Sequence, residues 1–218
     1  MGKLTAVALA AAVMMLASPS LAGPAWEWSG TLNNNSTSGS WDLGINFSVT
    51  APVTVTGLGY YDDFGNGFLH AHDVALYNAV GTLLAGGIVT SADPLTGNFR
   101  YLNISGVTLA PGNYQVVGVS YNDNYTFDYT APLGSKLTLG NSITYLGDSY
   151  NPDIGSGAAF VGIGSGLYND DIQGGIADGV FGPDLFLATA VPEPLTLTMF
   201  AVGLAGIVAT RRRKRNAT

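Results

Sequence analysis

Over nine residues, Trp41, Leu43, Ile45, Phe47 and Val49 alternate strictly with Asp42, Gly44, Asn46 and Ser48. Side chains turn to opposite faces with a period of two only in an extended strand, so this run predicts a half-buried β-strand, apolar inside and polar outside. A helix would scatter the same residues around its axis. No stretch from residue 23 to residue 190 holds a 3.6-residue apolar period, so the partners of this strand must themselves be strands.

The rest of that segment reads accordingly. Residues 26–28 predict an edge strand and residues 33–40 a polar loop. Val53 and Val55 start a strand whose apolar phase switches to Leu58 and Tyr60 across Gly57, as an extra residue at a glycine bulge would cause. Residues 73–78 and 82–89 flank Ala79-Val80-Gly81 as a hairpin. After the turn at Asp93-Pro94, residues 99–104 form a strand. Ala110-Pro111-Gly112-Asn113 is a turn, because proline presets φ and glycine accepts positive φ. It launches residues 114–121, with Val117 and Val119 on one face and Tyr114 and Val116 on the other. Further strands are expected at 136–145, 158–163 and 185–189, with 148–184 otherwise in loops. About nine antiparallel strands must each bury one face, and two stacked sheets achieve that. The expected fold is an all-β antiparallel β-sandwich, jelly-roll or galactose-binding-like, in one domain over residues 23–190.

Both ends read as addresses. Lys3 opens a short basic region, residues 4–16 are apolar, Ser18-Pro19 breaks the run, and Ser20-Leu21-Ala22 supplies small residues at −3 and −1. Residues 1–22 are therefore expected to be a signal peptide, cut by signal peptidase between Ala22 and Gly23. At the other end stand Val191, Pro192, Glu193 and Pro194, then the uncharged run 195–210, then the basic stop Arg211, Arg212, Arg213, Lys214 and Arg215. As a helix the run covers roughly 24 Å, enough to span a membrane with some thinning or snorkelling. The cations stay cytoplasmic, which puts everything upstream of Val191 outside.

This succession, Val-Pro-Glu-Pro, an apolar stretch holding Gly203-Leu204-Ala205-Gly206, and an arginine-rich end, resembles the PEP-CTERM sorting signal of exported Gram-negative bacterial proteins. The resemblance implies recognition of residues 191–218 by the membrane-embedded protease-transpeptidase exosortase. It also implies removal of the tail, and release or attachment at the cell surface near exopolysaccharide. Leu58-Gly59-Tyr60-Tyr61-Asp62, Gly65-Asn66-Gly67-Phe68, His72-Asp73-Val74-Ala75-Leu76-Tyr77 and Leu109-Ala110-Pro111-Gly112-Asn113-Tyr114 are similar to a small domain that recurs in exported PEP-CTERM proteins. That likeness, spanning about residues 43–121, supports the sandwich and implies no activity.

Of the 15 acidic residues only Glu193 lies outside 23–190, whereas only Arg100 and Lys136 of the 8 basic residues lie within it. A body so anionic repels phosphate backbones, which argues against nucleic-acid binding. Cysteine is absent, so neither disulfides nor thiol chemistry contributes.

Asp62, Asp63 and Asn66, in Asp62-Asp63-Phe64-Gly65-Asn66-Gly67, offer hard oxygen ligands in a glycine-permitted loop and form a calcium candidate; the plain alternative is a polar turn satisfying its own backbone. Asp170, Asp171, Asp153 and Asp178 form a second acidic group. His70 and His72 share a strand face, but a third metal ligand such as Asp73 points the other way, so packing is the simpler reading. No Gly-x-Ser-x-Gly elbow is present, and Gly155-Ser156-Gly157 and the 162–166 glycine run lack a phosphate-cradling lysine. Tyr60, Tyr61, Tyr121, Tyr125, Phe127 and Tyr129 are either core and cross-strand partners or a stacking platform for sugar rings.

The expectation is an exported, non-enzymatic surface or matrix protein. A carbohydrate-binding module associated with exopolysaccharide, braced by calcium, is the alternative. An extracellular hydrolase stands third, since glycoside cleavage needs only two suitably spaced carboxylates.

Overall fold

In the computed structural model, residues 22–28, 35–36, 39–128, 137–153, 155–162 and 179–188 are described, and the alternating run is a strand as its period requires. In chain order the strands are β1 (Gly23–Pro24), β2 (Trp26–Trp28), β3 (Asn35–Ser36), β4 (Trp41–Val49), β5 (Val53–Tyr61), β6 (His72–Asn78), β7 (Leu83–Val89), β8 (Leu95–Thr96), β9 (Phe99–Leu109), β10 (Gly112–Val119), β11 (Tyr125–Asp128), β12 (Leu137–Leu139), β13 (Ile143–Pro152), β14 (Gly179–Phe181) and β15 (Pro183–Leu187). One 3₁₀ turn, Asp63–Gly65, follows β5. All these strands belong to the compact unit Ser20–Ala190. The expected signal segment upstream of Ala22, the sorting motif, the membrane helix and the basic stop lie outside the described residues. Among the described residues, no helix is long and apolar enough to cross a membrane.

Every strand pair is antiparallel. One five-stranded sheet runs β1-β15-β5-β9-β8 and a second runs β13-β4-β10-β6-β7, with small accessory sheets β14-β11-β3 and β12-β2. The two large sheets share one core: Val55, Leu58, Tyr60, Phe99 and Leu185 from the first meet Ile45, Phe47, Leu76 and Val116 from the second. The β6–β7 hairpin and the two faces of β10 are as the sequence predicts, Val116 lying in this core and Val117 and Val119 behind it. The bulge also falls where the phase switches: β5 carries an extra residue between Val55 and Gly57, which face the consecutive residues Leu187 and Phe186 of β15.

Four expectations need correction. The outer face of β4 is not turned to water, since Asp42, Gly44 and Asn46 are buried with the rest. Residues 155–162, read in part as a strand at 158–163, instead form a non-strand strap over that face. There Ala158 and Val161 pack on Ala75, Val117 and Val119. Gln115, Asn46 and Ser149 beneath it pair with one another: Gln115 Nε2 donates to Asn46 Oδ1 at 2.6 Å and to Ser149 Oγ at 2.9 Å, while Gln115 Oε1 accepts from the Val161 N–H at 3.0 Å. A buried amide network of this kind substitutes for water at each group. Next, the strand expected over 136–145 is two, β12 and β13, parted by a turn in which the Ile143 N–H donates to Gly140 O at 3.1 Å. β13 then runs on through Asp148, where a loop was expected, because β4 offers it nine partners from Val49 to Trp41. Last, the 33–40 loop contains the short β3, which pairs with Tyr125 and Thr126.

Candidate functional site

β5 ends at Tyr61 and the chain must turn to reach β6 at His72. Phe64, Gly65 and Gly67 take the turn at φ of 61°, 66° and 96°. Glycine adopts that left-handed region freely, and Phe64 is held there by what surrounds it. Asp62 is the anchor. Its buried carboxylate receives Arg100 Nε at 2.5 Å and the Gly67 N–H at 3.0 and 3.1 Å, while the guanidinium also donates to Asp93 O and Gly65 O. A charge-assisted pair of this geometry fixes the loop against the sheet.

The far side of the turn is tied to the segment after β10. Asp123 accepts the His70 backbone N–H at 2.8 Å, and its own N–H closes a turn on Ser120 O at 2.8 Å. Asn124 Nδ2 donates to Asp63 Oδ2 at 2.7 Å. Tyr121 and Asn122 both sit at positive φ, 48° and 70°. Between the two segments opens a cleft of about 390 Å³ lined by Tyr61, Asp63, Asn66, Phe68, Leu69 and the 122–124 turn. Phe68 stands edge-on to the rings of Tyr60 and His72 beneath it.

The expected calcium ligands therefore part company. Asp63 and Asn66 line the cleft, whereas Asp62 turns inward to Arg100. Among the described residues, no group of three or more His, Cys, Asp or Glu side chains is placed to hold a metal ion. Of the second acidic group, Asp153 accepts from Ser40 Oγ at 2.8 Å and caps the Gly155 N–H at 2.7 Å. Asp170, Asp171 and Asp178 lie outside the described residues.

The histidines do not share a strand, since β6 begins at His72, yet both approach Asp123. His72 is buried flat against Tyr60, rings 3.7 Å apart and 5° from parallel. Its Nδ1 lies 2.7 Å from Val119 O, which assigns the hydrogen to that nitrogen, and its Nε2 lies 3.1 Å from Asp123 Oδ2. Burial lowers its pKa, against the opposing pull of Val119 and Asp123. His70 is exposed and only approaches Asp123, at 3.6 Å.

Nor do the aromatics form a platform. Tyr60 and Tyr61 belong to the core at 0% and 4% exposure, because the bulge at Gly57 turns Leu58 and Tyr60 inward. Tyr121 is half-buried and its hydroxyl donates to Asp73. Tyr125 is half-buried as well, and the side chain of Phe127 and all of Tyr129 lie outside the described residues. The exposed apolar groups of the cleft-forming loop are instead Phe64 and Leu69, at 84% and 86%.

Fold and cleft together define a small all-β antiparallel domain with a cleft of mixed polar and apolar lining between the β5–β6 loop and the turn after β10. A family model, Domain of unknown function (DUF4082), matches residues 28–159, and the chain belongs to that family. The PEP-CTERM protein-sorting motif matches residues 190–214, at the C-terminus, so the chain carries the sorting signal of an exosortase substrate. That signal implies export and a membrane-associated intermediate. No curated protein and no solved structure matches the chain.

Proposed function

We propose that this is an exosortase-processed protein of the cell surface or extracellular matrix, with a structural or interaction role and no catalysis of its own. The sorting motif over 190–214 carries the reading. It is supported by the employment of the acidic groups at the cleft: Asp63 takes Asn124, and Asp123 takes the His70 amide beside His72. Groups committed to holding loops are poorly placed to move protons for a hydrolase.

The scaffold reads as a β-sandwich of jelly-roll or galactose-binding-like character. Cleavage by signal peptidase between Ala22 and Gly23 suits it, since Ala22 is exposed and the first strand begins at Gly23. Residues 195–210 then serve as a transient membrane helix and 211–215 as its cytoplasmic stop. Replacing Pro192, Glu193 and Pro194 together by alanine should strand the unprocessed chain in the membrane fraction. Processing of that variant at the wild-type rate would overturn the proposal.

A further inference from the structure

We infer that the loop-end cleft binds a neutral saccharide, with Asn66 and the 122–124 turn as the recognising groups; this rests on the interaction role proposed above and gives it a partner class. The size fits one small polar ligand, about 390 Å³ being at the lower end of the range for small-molecule sites. The lining fits a polyol. Asn66, Asn122 and Asn124 each carry an amide with both donor and acceptor atoms, and Asp63 and Asp123 add acceptors, so adjacent hydroxyls can be met in either sense. Phe68 and Leu69 supply apolar surface on the same wall for the C–H face of a pyranose ring.

Charge narrows the class. Two carboxylates and no cation line the cleft, which disfavours phosphate, sulfate and uronate groups. Arg100, the one Lys or Arg among the described residues of the domain, is spent on Asp62.

The cleft is also preorganised. Asp62 fixes Gly67, Ser91 Oγ accepts the Phe68 N–H at 2.7 Å, and Asp123 fixes His70, so little ordering entropy remains to be lost on binding. Asn66 is exposed and, among the described residues, makes no side-chain hydrogen bond, unlike its neighbours Asp62 and Asp63. Its orientation relative to the sheets completes the case. Leu187, on the last strand, pairs with Gly23 and with Val55, while the cleft opens beyond Tyr61, about 20 Å further along β5. The cleft therefore lies at the end of β5 opposite to the one that faces Gly23 and Leu187.

The test is direct binding of the mature protein, released from its native envelope, to immobilised β-1,3-glucan, cello-oligosaccharide, mannan and galactan, with alginate and polygalacturonate as anionic counterparts. At least one neutral glycan should be retained at millimolar or tighter affinity, and the anionic ones should not. N66A and N122G should each weaken that binding by about tenfold, the loss expected for one or two buried hydrogen bonds. Glycine keeps the positive φ that position 122 requires, and N66A, whose residue lies at negative φ on the surface, should melt with the wild type. Retention of no neutral glycan, equal retention of the anionic ones, or unchanged binding in both variants would overturn the inference. The assay reads the same whether or not the tail was cut by exosortase, so it fails independently of the sorting proposal.

Discussion

At the scale of single residues the domain depends on a few buried charges whose partners are fixed. Asp62 is fully buried and its charge is answered by Arg100. R100A should therefore leave an uncompensated buried carboxylate and cost about 3–5 kcal/mol in urea unfolding. Chelation with EGTA should leave the melting temperature unchanged, and a clear drop would instead place calcium at Asp63 and Asn66. Asp42 is a different case. Burial beneath the strap, reinforced by Asp153, raises its pKa from 3.8 to about 7. The folded state then holds a proton that the unfolded chain has already released between those values. Its contribution to stability is fully present below about pH 3.8 and is lost as the pH rises through 7. D42N, which stays neutral throughout, should match the wild type in thermal melts at pH 4 and melt higher at pH 8. Equal melting temperatures at both pH values would remove Asp42 from the account.

At the scale of elements, β4 shows what an alternation pattern can and cannot tell. Its period fixes the strand and the inward set Leu43, Ile45, Phe47 and Val49, because those side chains must share a face. It does not tell what lies on the other face. Asp42 and Asn46 look like solvated positions until the 155–162 strap, more than a hundred residues away, closes over them. The hairpin and the bulge were legible because local turn chemistry and local phase decide them. The strap was not, since its apolar residues resemble a short strand and its fit depends on Gln115, Asn46 and Ser149 meeting from three different strands. Replacing Gln115 with alanine orphans the Val161 N–H and the Asn46 carbonyl together. A loss of about 2–3 kcal/mol is expected, with amide exchange accelerating first over 155–162. Uniform acceleration across the sheets would show that the strap has no separate dependence on that network. β5 and β9 meet more tightly still: a Cβ at Gly59 would lie 2.5 Å from the Tyr101 ring, whose hydroxyl donates to buried Asp184 at 2.5 Å. G59A should accordingly destabilise by about 1–3 kcal/mol, read as an earlier urea midpoint.

The cleft was half legible for the same reason. Asp63 and Asn66 announce themselves as polar groups in a glycine-bearing turn, and the sequence places them in one loop. Their counterparts, Asn122 and Asn124, follow β10 in a segment whose only local mark is a run of polar residues after a strand. That Tyr121 and Asn122 both adopt positive φ is written nowhere in their identity. Burial of Tyr60 and Tyr61 was likewise a tertiary outcome, set by which side of the bulge faces the second sheet.

For the whole molecule, the sorting motif over 190–214 implies a body exported from the cytoplasm through a membrane-associated intermediate. Among the described residues its first and last strands are paired, Gly23 opposite Leu187, which ties the two ends of the domain together in one sheet. Mass spectrometry of both termini of the protein recovered from its native envelope tests this account most directly. It should read an N-terminus at Gly23 and a C-terminus that has lost Arg211 to Arg215, whereas an intact chain bearing both Met1 and Thr218 in the cytosolic fraction would contradict it.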